Sequence, residues 1–185
     1  MLNVNDIRNL LIEQVSLNNI KETGYNCLNG NKYVELRNVV FECTEDCIFA
    51  NIPQLKTATD KWYEENYTPL LYKDDQFIKC WNKLVDNPNS RQAVIIISST
   101  DNLQCTMYID VSLINIKDNI YQLEYVVHMR SNDSVEFRTD LKWHKKVYEA
   151  LYKKLNIYYN LERKNIIWFA NSLQLYSQYF TKVMK

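Results

Sequence analysis

Residues 130–133 place an arginine, a hydroxyl, an amide and a carboxylate together at the end of a predicted strand. Arg130 is the natural anion ligand of this group, since its planar guanidinium can make a two-point contact with phosphate or carboxylate. The other interpretation is a salt bridge between Arg130 and Asp133 that caps a turn. Local chemistry leaves both open. The strand is predicted from apolar residues at alternate positions, which are Tyr121, Leu123, Tyr125, Val127 and Met129.

Composition narrows the classes of function. The 185 residues carry 22 basic and 22 acidic side chains, so the net charge is zero and does not favour binding to nucleic acid or to a membrane surface. The chain contains no apolar run of the roughly 18 residues that a membrane span needs, and its first residues are too polar for a signal peptide. This length predicts a single domain over residues 1–185.

Cysteine and glycine usage excludes several common sites. The five cysteines include no CxxC pair and form no Cys/His cluster, so we expect free thiols, no metal site and a cytoplasmic location. With only two glycines, the chain has no glycine-rich phosphate loop and no dinucleotide-binding fingerprint.

Patterns along the chain predict an α+β fold, in which helices pack on one face of a mostly antiparallel, twisted mixed sheet. Helices are predicted from residue 5 or 6, over 57–67 and 74–85, and from Thr139 or Asp140. Strands are predicted over 33–42, 48–52, 93–97, from 105, over 121–129 and over 165–170, with a helical or irregular tail after them. The run 93–97 is continuously apolar, as in a strand buried on both faces.

Several segments, in order, resemble the thymidylate synthase family, which includes the deoxycytidylate and deoxyuridylate hydroxymethylases. His128-Met129-Arg130-Ser131-Asn132-Asp133 is similar to the family's "hMRSnD" segment, and the run from Asp101 to Thr106 to its "D…PCt" nucleophile segment. The run from Asp86 to Val94 resembles "DPxSRqAv", residues 35–39 resemble "ELrNv", and Trp168 with 175–177 resembles "W…hlYsNh". The lysine- and asparagine-rich composition and the short chain suit a viral member.

The resemblance implies a transferase that acts at C5 of a pyrimidine nucleoside monophosphate. Cys105 matches the nucleophile that adds to C6, and a thiolate beside an arginine suits this role, because positive charge lowers the pKa of a thiol. Taken alone, Cys105 would be interpreted as a small buried residue at a strand start. Asp133 matches an active-site carboxylate near the base and the folate.

The resemblance also assigns residues that hold the rest of the nucleotide. Arg130 and Ser131 match phosphate ligands, and Tyr176 matches a contact with a sugar hydroxyl. Arg91 matches an arginine that reaches the same phosphate across a dimer interface, which implies a homodimer with shared sites. Taken alone, Arg91 would be a surface charge after a turn.

Asp140 lies, with one residue of slippage, where thymidylate synthases carry the asparagine that contacts uracil. An ionised carboxylate only accepts hydrogen bonds, so it suits the exocyclic amine of cytosine, with N3 protonated or with the acid sharing its proton. An aspartate here accompanies the cytosine-specific hydroxymethylases. The alternative is that Asp140 caps the following helix.

Departures from the family pattern concern mainly the folate half of the site. The resemblance implies 5,10-methylenetetrahydrofolate as cofactor, but a segment of several dozen residues is reduced to 68–73, and the closing C-terminal segment is missing. The family's glutamate for proton transfer could be Glu64 or Glu65, although a solvated helix face explains both. Gln174 stands in place of the closing histidine, and no residue matches the early phosphate-loop arginine. Two hypotheses follow. The first is a C5 methyl- or hydroxymethyltransferase, and the second is a catalytically degenerate protein that binds a nucleotide in order to sequester it or to serve a regulatory role.

Overall fold

The computed structural model describes residues 1–24, 30–53, 59–101 and 103–185, and in these residues nine strands form one mixed sheet with helices. The strands are β1 Leu2–Asn3, β2 Lys21–Glu22, β3 Lys32–Glu42, β4 Val94–Ile96, β5 Thr106–Lys117, β6 Ile120–Met129, β7 Asn132–Asp133, β8 Asn160–Glu162 and β9 Ile167–Tyr176. The helices are α1 Val4–Ser16, α2 Asp60–Asn66, α3 Thr68–Tyr72, α4 Gln76–Asp86, α5 Phe137–Leu155 and α6 Phe180–Val183.

The sheet has the strand order β1-β3-β9-β6-β5-β4, with β2 beside β3, β7 beside β9 and β8 beside β6. The long neighbours β3–β9 and β5–β6 are antiparallel, whereas β6 and β9 run parallel. The prediction of a mixed sheet with helices is therefore confirmed. Since β7 also pairs with β9 in parallel, the polar residues after β6 lie beside the end of the last strand.

One face of the central strands is buried and packs against α5. On β6 the buried positions are Leu123, Tyr125, Val127 and Met129, the alternate residues expected of a strand with one face in the core. Tyr125 contacts His144 and Tyr148 of α5 through edge-on ring packing. This packing fixes α5, and with it the side chains of its first turns, relative to the sheet.

The opposite face of the sheet carries a registered row of apolar and aromatic side chains. Val40 pairs with Phe169, Phe169 with His128, His128 with Tyr108, and Tyr108 with Ile96. The rings of Tyr108 and His128 stack with centroids 4.1 Å apart. Ile96 is 59% exposed. The row crosses five strands and is partly open to solvent.

The structure corrects two predicted strands. The apolar run 93–97 is not a strand buried on both faces, because β4 lies at the sheet edge and pairs with β5 alone, with Ile95 buried and Ile96 turned outward. Residues 48–52 form no strand. They are apolar because Ile48, Phe49 and Ile52 are buried in an irregular segment.

Several element boundaries also differ from the predictions. Asn3, not residue 5 or 6, caps α1, where its side chain accepts from the backbone of Asn5 and Asp6. Helix α4 begins at Gln76, because Asp74 and Asp75 adopt left-handed backbone angles (φ 52° and 57°). The predicted helix over 57–67 is α2, and its predicted start lies outside the described residues.

The last two long elements are also longer than predicted. Helix α5 begins at Phe137, so Asp140 lies inside it rather than at its cap. Strand β9 continues to Tyr176, so the predicted irregular tail is wrong at residues 171–176. No helix in the described part of the chain combines the length and apolar character needed to cross a membrane. The four described cysteines are free thiols.

Candidate functional site

A cavity of about 250 Å³ lies where β7, the first turn of α5 and the end of β9 meet. Residues predicted from the sequence line it from separate segments of the chain; these are Cys105, Ser131, Asp133, Asp140 and Tyr176. The parallel pairing of β7 with β9 accounts for part of this convergence, since Asn132 lies opposite Leu173 and Asp133 opposite Gln174.

Cys105 and Ser131 meet at the cavity because their strands are hydrogen-bonded neighbours. The first residue of β5 pairs with the last residue of β6, and the Arg130 backbone N–H donates to the Cys105 carbonyl across 2.8 Å. The Ser131 hydroxyl donates to the Cys105 sulfur across 3.8 Å. The Cys105 side chain is exposed, in contrast to Cys43 and Cys80, whose thiol pKa values are raised by burial. Among the described cysteines, Cys105 is therefore the accessible thiol that lies in a cavity.

Three predicted site residues are not among those that line the cavity. Arg130 is exposed and contributes its backbone to the Cys105 segment, while Arg91 is exposed in the segment before β4. Glu64 lies on the exposed surface of α2, where it pairs with Lys146 at 2.9 Å and accepts from Thr68. The hydrogen bond from Lys146 lowers the pKa of the Glu64 carboxyl, so this group is an ordinary ionised surface carboxylate.

Asp140 faces the cavity as a half-buried carboxyl held by two donors. The Tyr63 hydroxyl donates to one of its oxygens and the Asn132 side-chain amide to the other. Burial raises the pKa of Asp140 to about 7. Near neutral pH this group is therefore partly a neutral acid, which can donate one hydrogen bond and accept others.

Two further carboxylates line the cavity where the chain passes from β7 into α5. Asp133 accepts the Val135 backbone N–H across 2.8 Å, which closes the turn between β7 and α5. Glu136 immediately precedes α5 and is buried, with 9% of its surface exposed. A buried carboxylate inside a cavity is a candidate for proton transfer. Glu136, rather than Glu64, is the glutamate that the structure brings to this cavity.

Three aromatic residues of helix α2 and the position after it line the cavity, which are Trp62, Tyr63 and Tyr67. The ring centroids of Tyr63 and Tyr67 are 4.8 Å apart, and Trp143 packs edge-on against Tyr67 at 5.3 Å. Burial raises the pKa of the Tyr67 phenol; the nearby Cys105 thiol adds to the increase, and hydrogen bonds to Thr106 and Cys105 oppose it. Tyr67 is therefore in direct contact with the Cys105 segment.

Behind Cys105 lies a buried polar group centred on His144. One ring nitrogen of His144 is 3.3 Å from Thr106 Oγ1, and the other is 3.1 Å from the Tyr125 hydroxyl. Burial lowers the pKa of His144 to about 3, so the ring is neutral at physiological pH. His144 is therefore a core histidine whose two ring nitrogens both have hydrogen-bonding partners, and its contact with Thr106 holds the start of β5 in place.

Sequence reasoning assigned no functional role to six residues that line the cavity, which are Trp62, Tyr63, Tyr67, Asn132, Glu136 and Gln174. For two of them a local signal was present. Asn132 and Glu136 belong to the same short segment as Arg130, Ser131 and Asp133, which continues from β6 into α5. The aromatic residues carried no such signal, because helical spacing of aromatics is equally typical of a core.

A larger cleft of about 550 Å³ lies elsewhere, bordered by Lys145, Glu149, Arg163 and Lys164. Four of its charged side chains are in ion pairs, since Glu149 is bound to Arg163, Lys164 to Glu124 and Lys145 to Asp46. None of the predicted site residues borders it. Among the described residues, no three His, Cys, Asp or Glu side chains cluster so as to hold a metal ion.

A scan against models of protein families finds no match to this chain, and a search of curated proteins finds none either. The functional argument therefore depends on the residues and geometry of the cavity.

Proposed function

We propose that this protein is a thymidylate synthase-like enzyme that binds a pyrimidine nucleoside monophosphate and activates its C5 position through Cys105. The observation that carries the proposal is the convergence of Cys105, Ser131, Asp133, Asp140 and Tyr176 on one cavity. The family resemblance assigns a role to each of these five residues. They come from three parts of the chain (Cys105, the segment 131–140 and Tyr176), so their meeting in one cavity depends on the fold.

The proposed chemistry begins with the Cys105 thiolate. Its sulfur forms a bond to C6 of the pyrimidine, and the electron pair of the C5–C6 double bond moves toward C4 and leaves C5 nucleophilic. C5 then takes up a proton, and loss of the original C5 proton with release of the thiolate restores the ring, so the original proton exchanges with water. A bound methylenetetrahydrofolate would supply a one-carbon unit to C5 in place of the new proton. Glu136 and Asp133 are the cavity carboxylates available to move that proton.

Asp140 supports a preference for cytosine. A neutral carboxyl pairs with either base, since either of its oxygens can carry the proton, but the ionised form only accepts hydrogen bonds, so it suits the exocyclic amine of a cytosine protonated at N3 and is repelled by O4 of uracil. With a pKa of about 7, Asp140 is partly ionised at physiological pH, so the form that discriminates between the bases is available. The other interpretation, that Asp140 is a helix cap, does not apply because α5 begins three residues earlier.

The implied folate fits only in part. Trp62, Tyr63 and Tyr67 offer aromatic faces on which a pterin could stack. Pockets for drug-sized ligands run from about 300 to 1,000 Å³, so a cavity of about 250 Å³ does not hold a nucleotide and a pterin together. The same volume favours a second candidate, a nucleotide-binding protein of this fold without turnover.

A homodimer is part of the proposal. The row of Val40, Phe169, His128, Tyr108 and Ile96 leaves an apolar and aromatic surface partly open, which suits association with a second copy. A partner would also supply Arg91, which does not line the cavity of its own chain. The free cysteines suit a reducing, cytoplasmic environment.

Trapping with a mechanism-based nucleotide tests the proposal. On the Cys105 peptide we expect 5-fluoro-dCMP or 5-fluoro-dUMP to add one nucleotide mass without methylenetetrahydrofolate, or the combined mass of nucleotide and folate where the cofactor takes part, and Cys105→Ser to abolish both. Cys47→Ser is the matched control, since Cys47 is partly exposed but does not line the cavity. Release of tritium from C5 of labelled dCMP or dUMP measures activation directly. Nucleotide binding without an adduct or tritium release would favour the binding protein over the enzyme.

A further inference from the structure

Glu35 of β3 is a nearly buried carboxylate that lies outside the cavity and connects to it. Only 3% of its side chain is exposed. Three donors surround it: Lys21 Nζ at 2.5 Å, Arg37 Nη1 at 3.0 Å and the Ser172 hydroxyl at 2.5 Å. A buried carboxylate without such partners would be strongly destabilising.

The charge state of Glu35 follows from these partners. Burial on its own raises the pKa of the Glu35 carboxyl, but the hydrogen bonds from Lys21, Ser172 and Arg37 outweigh it and lower the pKa. Glu35 is therefore ionised at neutral pH. An ionised carboxylate accepts hydrogen bonds and donates none.

From Glu35 a chain of hydrogen bonds runs along β9 to the cavity. The Ser172 hydroxyl donates to Glu35, the Gln174 amide nitrogen donates to Ser172 Oγ at 3.0 Å, and the Tyr176 hydroxyl donates to the Gln174 carbonyl oxygen at 2.8 Å. Gln174 and Tyr176 both line the cavity. Side chains at alternate positions of a strand point to the same face, which is why these three can form a chain.

The direction of this chain is fixed at its Glu35 end. Because Glu35 only accepts, Ser172 must donate its one hydrogen to it and can only accept from Gln174. The Gln174 amide must then turn its nitrogen toward Ser172 and its oxygen toward Tyr176. Tyr176 commits its one hydrogen to Gln174, and its oxygen can act only as an acceptor toward any other group.

We infer that Glu35 is a positioning residue that sets this direction, so that the cavity selects a ligand that donates a hydrogen bond to Tyr176. A hydroxyl or amine of the ligand satisfies this requirement, and a carbonyl, ether or phosphate oxygen does not. The inference rests on the proposed function for the identity of the ligand, in which the donor is a hydroxyl of the nucleotide sugar. Glu35 itself touches no ligand.

A purely structural role for Glu35 would be to hold β2, β3 and β9 together through its ion pairs. The two roles differ in what they predict. A structural role predicts loss of stability on substitution, with equal effects on all ligands. A positioning role predicts a change in discrimination between ligands that differ in one donor hydrogen.

The test compares three nucleotides by isothermal titration calorimetry: dCMP, its 2′,3′-dideoxy analogue and its 3′-fluoro analogue, each repeated with uracil as the base. The 3′-hydroxyl can donate, fluorine can only accept weakly, and the dideoxy sugar does neither. We expect the wild-type protein to bind the hydroxyl form about tenfold more tightly than either analogue, the ratio expected for one well-placed hydrogen bond.

Two variants and one control separate the roles. Glu35→Gln removes the fixed acceptor and Ser172→Ala breaks the chain while leaving the Lys21 and Arg37 ion pairs; both should reduce the ratio below about threefold. Arg37→Gln removes an exposed donor but leaves Glu35 ionised and bound to Lys21 and Ser172, so the ratio should not change. Should Glu35→Gln fail to fold, Ser172→Ala carries the test. A wild-type ratio in Ser172→Ala would overturn the inference.

A measurement without nucleotide keeps this inference distinct from the proposed function. In ¹⁵N NMR spectra the Gln174 side-chain amide should exchange slowly in the wild-type protein and fast in Glu35→Gln and Ser172→Ala. Failure of the wild-type protein to bind any of the nucleotides would overturn the proposed function and the ligand selection that rests on it. The Gln174 signal would then decide alone whether Glu35 orients the chain, and an unchanged exchange rate would show that it does not.

Discussion

The Ser131 hydroxyl donates to the Cys105 sulfur across 3.8 Å. This contact joins the candidate nucleophile to the segment that carries Arg130, and it follows from strand register, because the Arg130 N–H is bonded to the Cys105 carbonyl. Any ligand that reaches the Cys105 sulfur therefore lies beside the backbone from Arg130 to Ser131. The register also leaves the Arg130 side chain exposed at the end of β6, next to this position.

Arg130→Ala should weaken binding of a pyrimidine nucleoside monophosphate by about 2 kcal/mol, or about 30-fold, because a charge-assisted phosphate contact is lost. Binding of the corresponding nucleoside, which has no phosphate, should be unchanged. Calorimetry with dCMP and deoxycytidine measures both. Arg138→Ala, which removes another exposed arginine that does not line the cavity, is the control. Equal losses for nucleotide and nucleoside would contradict a phosphate role for Arg130.

Asp140→Asn should shift the base preference from cytosine toward uracil. An asparagine offers one donor and one acceptor, which match O4 and N3–H of uracil, whereas an ionised aspartate only accepts, so it suits the exocyclic amine of cytosine and is repelled by O4 of uracil. The ratio of dissociation constants for dCMP and dUMP measures the shift, which we expect to be at least about tenfold. An unchanged ratio would mean that Asp140 only receives hydrogen bonds from Tyr63 and Asn132 and does not contact the base.

The same substitution should expose opposing contributions to the pH dependence of stability. The pKa of Asp140 is raised to about 7. Its protonation therefore contributes to the free energy of unfolding in full below about pH 3.8, and this contribution is lost as the pH rises through 7. The pKa of His144 is lowered to about 3, so the folded state resists protonation and stability is lost as the pH falls from 6.5 toward 3. Between pH 4 and 6.5 the two slopes oppose each other in the wild-type protein.

In Asp140→Asn only the His144 slope remains. Between pH 6.5 and 4 we expect its free energy of unfolding to fall by about 3 kcal/mol more than that of the wild type. Solvent screening of Asp140 makes this difference smaller. Urea denaturation across this range measures both proteins. Asp118→Asn, in the exposed turn between β5 and β6, should follow the wild-type profile. Parallel profiles for wild type and Asp140→Asn would show that Asp140 does not hold its proton near neutral pH.

Local patterns in the sequence predicted the elements that surround the cavity better than the elements at the edges. The alternation in β6 and the apolar positions of α5 reflect burial on one side, which the structure confirms at Tyr125 and Val147. The prediction for the run 93–97 was wrong because an apolar side chain in an edge strand can lie on the outer face of the sheet as well as in the core. Hydrophobicity alone does not tell whether an apolar residue is buried inside the protein or exposed on a surface that a partner could cover.

The sequence predicted the site residues that lie on neighbouring paired strands. It did not predict contacts between side chains that are far apart in the chain. Cys105 and Ser131 meet through the pairing of β5 with β6, two strands that the sequence predicts. Tyr63 reaches Asp140 across 77 positions of the chain, and Glu35 reaches Ser172 across 137. Contacts of this kind depend on how α2 and β3 pack against later elements, which local sequence does not encode.

Glu136→Gln should reduce release of tritium from C5 of the nucleotide by about 100-fold, the lower end of what a positioned acid or base contributes. The reason is its position, since Glu136 is buried and lines the cavity with Cys105. Glu64→Gln is the matched control, because Glu64 is paired with Lys146 on the surface and should leave the rate unchanged. The opposite result, a slow Glu64 variant and a normal Glu136 variant, would restore the assignment made from resemblance.

Mixing two inactive variants tests whether sites are shared between copies. Arg91→Ala keeps Cys105, and Cys105→Ala keeps Arg91, so a mixed dimer contains one complete site if Arg91 reaches the phosphate of its partner. After random exchange, half of the dimers are mixed, and each has one of its two sites intact. The mixture should therefore regain about a quarter of wild-type tritium release, while neither variant alone shows more than a trace. Analytical ultracentrifugation checks that both variants dimerise. An inactive mixture of dimeric variants would show that Arg91 does not complete the site of its partner, and a monomeric wild-type protein would exclude a shared site.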